Sequence, residues 1–204
     1  MAIKVVTDST SDLDSAIAED LGITIVPLNV HFGETVFKDG IDLNTDQFFD
    51  KLINGNVFPS TSQPSLGEFV DVYKEISQPG DVIISVHVSS KLSGTINSAQ
   101  QAANTLSGTV DVRIVDTQQV SMTVGLSAVG AAQAAQEGKS AEECIAIAES
   151  VAKRSNFFAL FDTLEYLEKG GRIGKARSLI GGLLKIRPIP VSYTHLTLPT
   201  ICSV

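Results

Sequence analysis

Short apolar runs alternate with stretches of helical spacing along this chain. Residues 3–6 (IKVV) are an apolar run that opens into TDSTSD, the pattern of a buried strand followed by a loop. Leu13, Ile17, Ala18 and Leu21 then recur at helical spacing, with Gly22 as a stop. ITIVPLNVHF (23–32) predicts a second strand, and Pro27 inside it marks an edge or a bulge. GETVFKDG predicts a hairpin bounded by glycines. Thr45 or Asn44 caps a short helix carrying Phe48, Phe49 and Leu52. PSTSQPS (59–65) follows as a loop, and Ser65 with Glu68 has capping-box spacing for a helix through Phe69, Val72, Tyr73 and Ile76.

DVIISVHVSS (81–90) is rich in β-branched residues and predicts a strand, followed by KLSGT and a helix through Ala99, Ala102, Ala103 and Leu106. VDVRIVDT (110–117) predicts another strand, and an Ala-rich helix after it ends near Gly138. Ser140 and Glu143 form a further capping box, starting a helix to about residue 154, and NFFALFDT predicts one more strand. Strands alternating with helices place the chain in the α/β class, with a mostly parallel sheet covered by helices. The expected organisation is an N-terminal α/β domain over 1–154 and the start of a second, incomplete α/β domain over 155–189.

Residues 190–204 (PVSYTHLTLPTICSV) carry no charge and no period. Back-translated, Val191–His195 and Leu196–Thr200 can encode read-through of a transposon-based sequencing adapter. The tail is therefore read as non-native, native sequence is expected to stop at Ile189, and His195 and Cys202 leave the site reasoning. A genuine C-terminal strand is the alternative.

Composition narrows the function classes. The 204 residues are 43% hydrophobic and 19% charged, ordinary globular stock. A net charge of −8 lacks the footprint of a nucleic-acid binder and disfavours anionic membranes. No apolar run reaches the length of a membrane span, so no stable membrane insertion is expected. The N-terminus lacks a secretory leader pattern. Two cysteines form neither a disulfide framework nor a metal-ligand set, which suits a cytoplasmic protein.

In open parallel sheets, ligands sit beyond the carboxyl ends of the strands. Three loops are expected there, TDSTSD (7–12), SSKLSGT (89–95) and DTQQVS (116–121), and all are rich in hydroxyls, as is PSTSQPS. Ser93-Gly94-Thr95 lies where a helix begins, so free N–H groups and the positive dipole end are available, and Gly94 permits close approach. The set suits a small anionic head such as a carboxylate. Taken alone, Ser93 and Thr95 read as helix caps, and Thr61 and Ser62 as turn residues fixed by Pro59 and Pro64. Asp8 and Asp12 read as a loop carboxylate and an N-cap. GGRIGKAR (170–177) fails the phosphate-loop spacing, because Ala176 follows Lys175 and Lys169 holds the earlier glycine place. Arg172 and Lys175 read as solvated basic residues. His31 and His87 fall in predicted strands as packed residues. No nucleophile elbow and no metal cluster emerges, and no cofactor is implied.

VTDSTSDL, STSQPSLGEF, SSKLSGTINSA, VDTQQVSMTVGL and LEYLEKGGRIGKARSLIGGLLKIRPI together resemble the DegV family, in that family's order and over nearly all of residues 1–189. The resemblance implies a two-domain α/β protein that binds a long-chain fatty acid. It places carboxylate contacts on Thr61 or Ser62 and on Ser93. From the loops themselves, Gly94 and Thr95 join the candidate set, and Asp8, Ser9 and Arg172 are secondary candidates. It also implies a non-enzymatic lipid carrier that presents the acid to a fatty acid kinase for phospholipid synthesis. The family's chains continue past RPI, through a segment that includes a histidine near the ligand head. The alternative reading is an enzyme acting on a small anionic ester or phosphate at the same loops, and a third is a structural or regulatory module with an incidental lipid.

Overall fold

The structure, a computed structural model, describes residues 2–174, 191–193 and 195–197. Strand β1 (Ile3–Asp8) runs into a 3-10 turn (Ser9–Ser11), then α1 (Ser15–Leu21) and β2 (Ile23–Val26). Asp14 caps α1, and Gly22 ends it at φ 64°. The chain then builds a small antiparallel sheet from β3 (Asn29–Phe32), β4 (Thr35–Lys38) and, after α2 (Thr45–Asn54), β5 (Ser60–Ser62). It returns through α3 (Leu66–Ile76), β6 (Val82–His87), α4 (Thr95–Thr105), β7 (Asp111–Asp116), α5 (Met122–Gln136) and α6 (Ala141–Arg154). A short helix, α7 (Glu165–Lys169), follows, and β8 (Val191–Tyr193) pairs antiparallel with β9 (His195–Thr197).

The main sheet has the order β2-β1-β6-β7 and all its pairs are parallel. β6 lies at its centre, and every residue of that strand is buried. That burial explains why Val82, Ile83, Ile84 and Val86 are all apolar, since a strand covered on both faces has no solvent face to make polar. On one face Val5, Ile84 and Val86 pack against α1, α5 and α6 through Ala18, Ala128, Ala131 and Ala148. On the other, Val6, Val26 and Ile83 meet Phe69 and Tyr73 of α3 and Ala99 and Ala102 of α4. The result is a three-layer α/β sandwich, the expected class. Capping boxes at Asn44/Gln47, Ser65/Glu68 and Ser140/Glu143 start α2, α3 and α6.

Two expectations are corrected. ITIVPLNVHF is two strands in two sheets, β2 and β3. Pro27 has no N–H for the parallel ladder, and the chain leaves the main sheet there. NFFALFDT forms no strand, although its alternation survives: Phe158 and Leu160 are exposed while Phe157 and Phe161 turn inward. The apolar run LIGGLLKIRPI, expected to continue the second domain, begins at 179 and lies wholly outside the described residues.

Candidate functional site

The carboxyl ends of β1, β6 and β7 lie on one edge of the parallel sheet, so their three hydroxyl-rich loops converge. Side-chain bonds brace them. Asp116 accepts from Ser90 N–H at 3.3 Å and Ser90 Oγ at 2.7 Å, and Thr117 Oγ1 donates to the His87 carbonyl at 2.8 Å. Ser9 Oγ accepts the Leu28 N–H at 3.1 Å, tying the 3-10 turn to the point where the chain leaves the sheet.

Above this edge the small sheet and α2 form a roof over a cleft of about 740 Å³. That volume is in the range of small-molecule sites. Its wall is mainly apolar, with Leu28, Phe48 and Leu52 from the roof side, Val88 and Leu92 from the floor, and Phe161 from beyond α6. Phe58 stacks on Tyr166 of α7 at 5.7 Å, and Lys169 Nζ sits 4.9 Å from the Phe58 ring, so α7 meets the roof across the cleft. Thr10, Ser60, Thr61, Ser89 and Ser93 are the hydroxyl residues on the wall, and Lys91, Lys169 and Arg172 bring cations to a chain of net charge −8.

Thr61 and Ser93, far apart in sequence, thus face one cavity. PSTSQPS is partly a strand rather than a loop: Thr61 pairs with Val30 in β5. Strand alternation turns its neighbour Ser62 to the other face, where its hydroxyl lies 2.9 Å from His31 Nε2. Gly94 approaches Gln63 rather than open cleft, since a Cβ there would come within 2.9 Å of Gln63 Nε2. That close approach seats the end of β5 on the N-terminus of α4. Thr95 is fully buried, with its hydroxyl 2.9 Å from Ser93 Oγ, and Ser93 Oγ accepts the Thr95 N–H at 3.3 Å. Arg172 is on the wall, donating to the carbonyls of Leu92 at 3.3 Å and Gly170 at 2.6 Å. Asp8, Ser9, Ser62, Gly94 and Thr95 are therefore not wall residues, while Thr61, Ser93 and Arg172 are.

Asp8 belongs to a buried chain that the sequence reading missed. Its Oδ2 accepts from His87 Nδ1 at 2.8 Å and from Val88 N–H at 3.2 Å, and its Oδ1 accepts from Thr10 N–H at 3.1 Å and from the Thr10 hydroxyl. His87 Nε2 lies 2.6 Å from Ser85 Oγ, itself 2.8 Å from the Tyr73 hydroxyl. Burial opposes ionisation of Asp8, but the hydrogen bond and charge attraction of His87, with the hydrogen bonds from Thr10 and Val88, outweigh it and hold the carboxyl below its ordinary range. Ser85, His87 and Asp8 have the order of a hydrolytic triad. Ser85 is 0% exposed under Tyr73, however, so no substrate carbonyl can reach it. One signal in the sequence pointed here: polar Ser85 and His87 alternate within an otherwise apolar central strand. Among the described residues no group of three or more His, Cys, Asp or Glu side chains could hold a metal ion. No helix there is long and apolar enough to cross a membrane.

Comparison with known proteins bears on the whole arrangement. A family model described as an uncharacterised protein of the DegV family matches residues 2–198. A DegV domain-containing protein of Deinococcus radiodurans is 40% identical over 191 residues, 94% of this chain and 67% of that protein. The structure of a fatty-acid-binding DegV family protein from Thermus thermophilus superposes with a TM-score of 0.85 at 39% identity, covering 95% of this chain and 69% of that one. That of DegV from Bacillus subtilis, described as a fatty acid binding protein, gives 0.84 at 36% identity, covering 94% and 68%. The chain spans about two thirds of the length of each.

Proposed function

The chain belongs to the DegV family, and from that premise we propose that it binds a long-chain fatty acid in the cleft, with the carboxyl head at Thr61 and Ser93. The observation that carries this reading is the wall itself: a mainly apolar surface that also includes Thr61 and Ser93, the latter just before the N-terminus of α4. A buried tail gains ~0.8 kcal/mol per methylene, so about fifteen carbons are worth on the order of 10 kcal/mol before association costs. Hydrogen bonds to a charged head add only ~1.5–3 kcal/mol each. The tail therefore sets affinity and the hydroxyls set orientation.

Neutral donors leave carboxyl oxygen available for chemistry, whereas a bidentate guanidinium would occupy both oxygens. This supports a carrier role in which the protein is not itself an enzyme. A partner fatty acid kinase would transfer the γ-phosphoryl group of a nucleoside triphosphate to the bound carboxyl group, which releases its proton as the diphosphate leaves, and the acyl phosphate would go to phospholipid synthesis in the cytoplasm. Native mass spectrometry of the protein purified from bacteria tests the binding. A non-covalent adduct of fatty acid mass is expected. A protein that emerges empty and takes up no added hexadecanoic or octadecenoic acid would sink the reading.

A further inference from the structure

Register explains why the buried chain forms. Val6 pairs with Ser85 across parallel β1 and β6. Two residues further along both strands, on the same face, Asp8 meets His87. The Phe69 and His87 rings meet edge-on with centroids 5.2 Å apart, and among the described residues Asp8 is the one charged group bonded to this imidazole.

Proton bookkeeping then gives the chain a direction. Tyr73 is fully buried, and burial pushes its phenol well above its ordinary range, so it keeps its proton. Its one recorded hydroxyl partner is Ser85, and leaving the buried phenol O–H without an acceptor is costly. Tyr73 therefore donates to Ser85, and Ser85 to His87 Nε2. His87 Nδ1 in turn donates to Asp8. Asp8 is an anion that collects every donor around it, including the Thr10 hydroxyl. A hydroxyl has one proton to give. With that proton spent on Asp8, half-buried Thr10 shows the cleft only lone pairs.

We propose that Asp8 is a positioning residue that makes Thr10 an acceptor-only point on the cleft wall, so that the bound head group brings its own hydrogen-bond donor there, as a protonated carboxyl does. This rests on the fatty-acid reading of the cleft. Thr61 and Ser93 supply donors for the carbonyl oxygen, and Thr10 accepts the acid's O–H. The wall thereby discriminates between heads that tails of equal length cannot distinguish.

Titration with hexadecanoic acid, its primary amide and its methyl ester tests this on the full chain. The amide carries a donor at every pH and the acid carries one only while protonated, whereas the ester has none, so the ester is expected to bind on the order of ten-fold more weakly than the amide, and than the acid at a pH that keeps it protonated. Thr10→Val should erase the difference, and Thr10→Ser should keep it, because serine retains the hydroxyl. Equal binding of all three heads by the unaltered protein, or a preference that survives Thr10→Val, would overturn the inference while leaving fatty acid binding intact. Failure of all three to bind would remove the fatty-acid reading and the inference with it. A second readout needs no ligand: nitrogen NMR of His87 should show a proton on Nδ1, and a bare Nδ1 would refute its donation to Asp8.

Discussion

Thr61 and Ser93 are unequal partners in their own local structure. Among the described residues the Thr61 hydroxyl has no hydrogen-bond partner, whereas Ser93 Oγ is already engaged with Thr95. A ligand oxygen thus meets one free hydroxyl and one held in place by the start of α4. The variant Thr61→Ala/Ser93→Ala should weaken hexadecanoic acid binding by about ten-fold without abolishing it, because most of the gross energy lies in the tail. Acyl phosphate formation with a partner kinase should disappear, and the melting temperature should hold, since neither residue is buried. Calorimetry and a phosphorylation assay check the two halves separately, and undiminished phosphorylation would remove both residues from the head-group site. The hydroxyl loops were readable because strand–loop–helix order alone assigns them to one edge of a parallel sheet. Which hydroxyls face the cavity was not readable. Ser62 is turned away by a one-residue step in a short strand, and Asp8 is claimed by His87, seventy-nine positions along the chain. Neither relation leaves a trace in local spacing.

At the level of elements, α5 decides how closely the helical layer can approach the floor of the cleft. Gly125 lies over the 3-10 turn that carries Thr10, and a Cβ there would come within 2.7 Å of the Ser11 carbonyl oxygen. That atom is backbone and cannot rotate away. Gly125→Ala should therefore cost about 1–3 kcal/mol, the usual penalty of overpacking, and should also perturb the Thr10 amide resonance. Gly130→Ala is the milder comparison, because its added methyl meets side-chain methyls of Val151 and Ile147 at 3.2 and 3.3 Å. Urea unfolding of the two variants should rank them in that order, and equal midpoints would contradict the close contact. The Ala-rich composition of α5 announced a helix pressed tightly on its neighbours, but not which neighbour. Pro27 likewise signalled an interruption without saying that the strand continues in another sheet. The alternation in NFFALFDT was real, yet inward-facing Phe157 and Phe161 line a cleft instead of a ladder. Period two reports which side is buried, not what it is buried against.

Over the whole molecule, stability is concentrated in the sheet and thins after α6. From residue 155 on, Ile173 alone is buried among the residues with described burial, and Phe158 and Leu160 are 61% and 63% exposed. Amides of 155–174 should exchange much faster than those of β6, which hydrogen exchange with mass spectrometry can compare directly; equal protection would show that this segment folds as one unit with the sheet. Acid should also be destabilising. The N–H groups of Ala2 and Gln78 hold the buried Asp81 carboxyl below its ordinary value of 3.8, and the bonds to Asp8 do the same against its burial. A carboxyl lowered on folding stabilises the native state fully above its unfolded pKa and loses that contribution as pH falls through the folded one. Unfolding free energy should thus be flat near neutrality and fall below about pH 4, with a shallower acid limb in Asp81→Asn. The α/β class was legible from periodicity, but the roof was not, because it is made of short strands inserted where a plain crossover to α3 would suffice. That insertion divides the ownership of the ligand. Residues 27–65 hold Thr61 and one apolar wall, while Ser93, Thr10 and the opposite wall belong to the sheet. Transplanting that one continuous segment between relatives would exchange half the clasp and half the mould in a single genetic step, so lipid preference in such a fold can be inherited as a cassette.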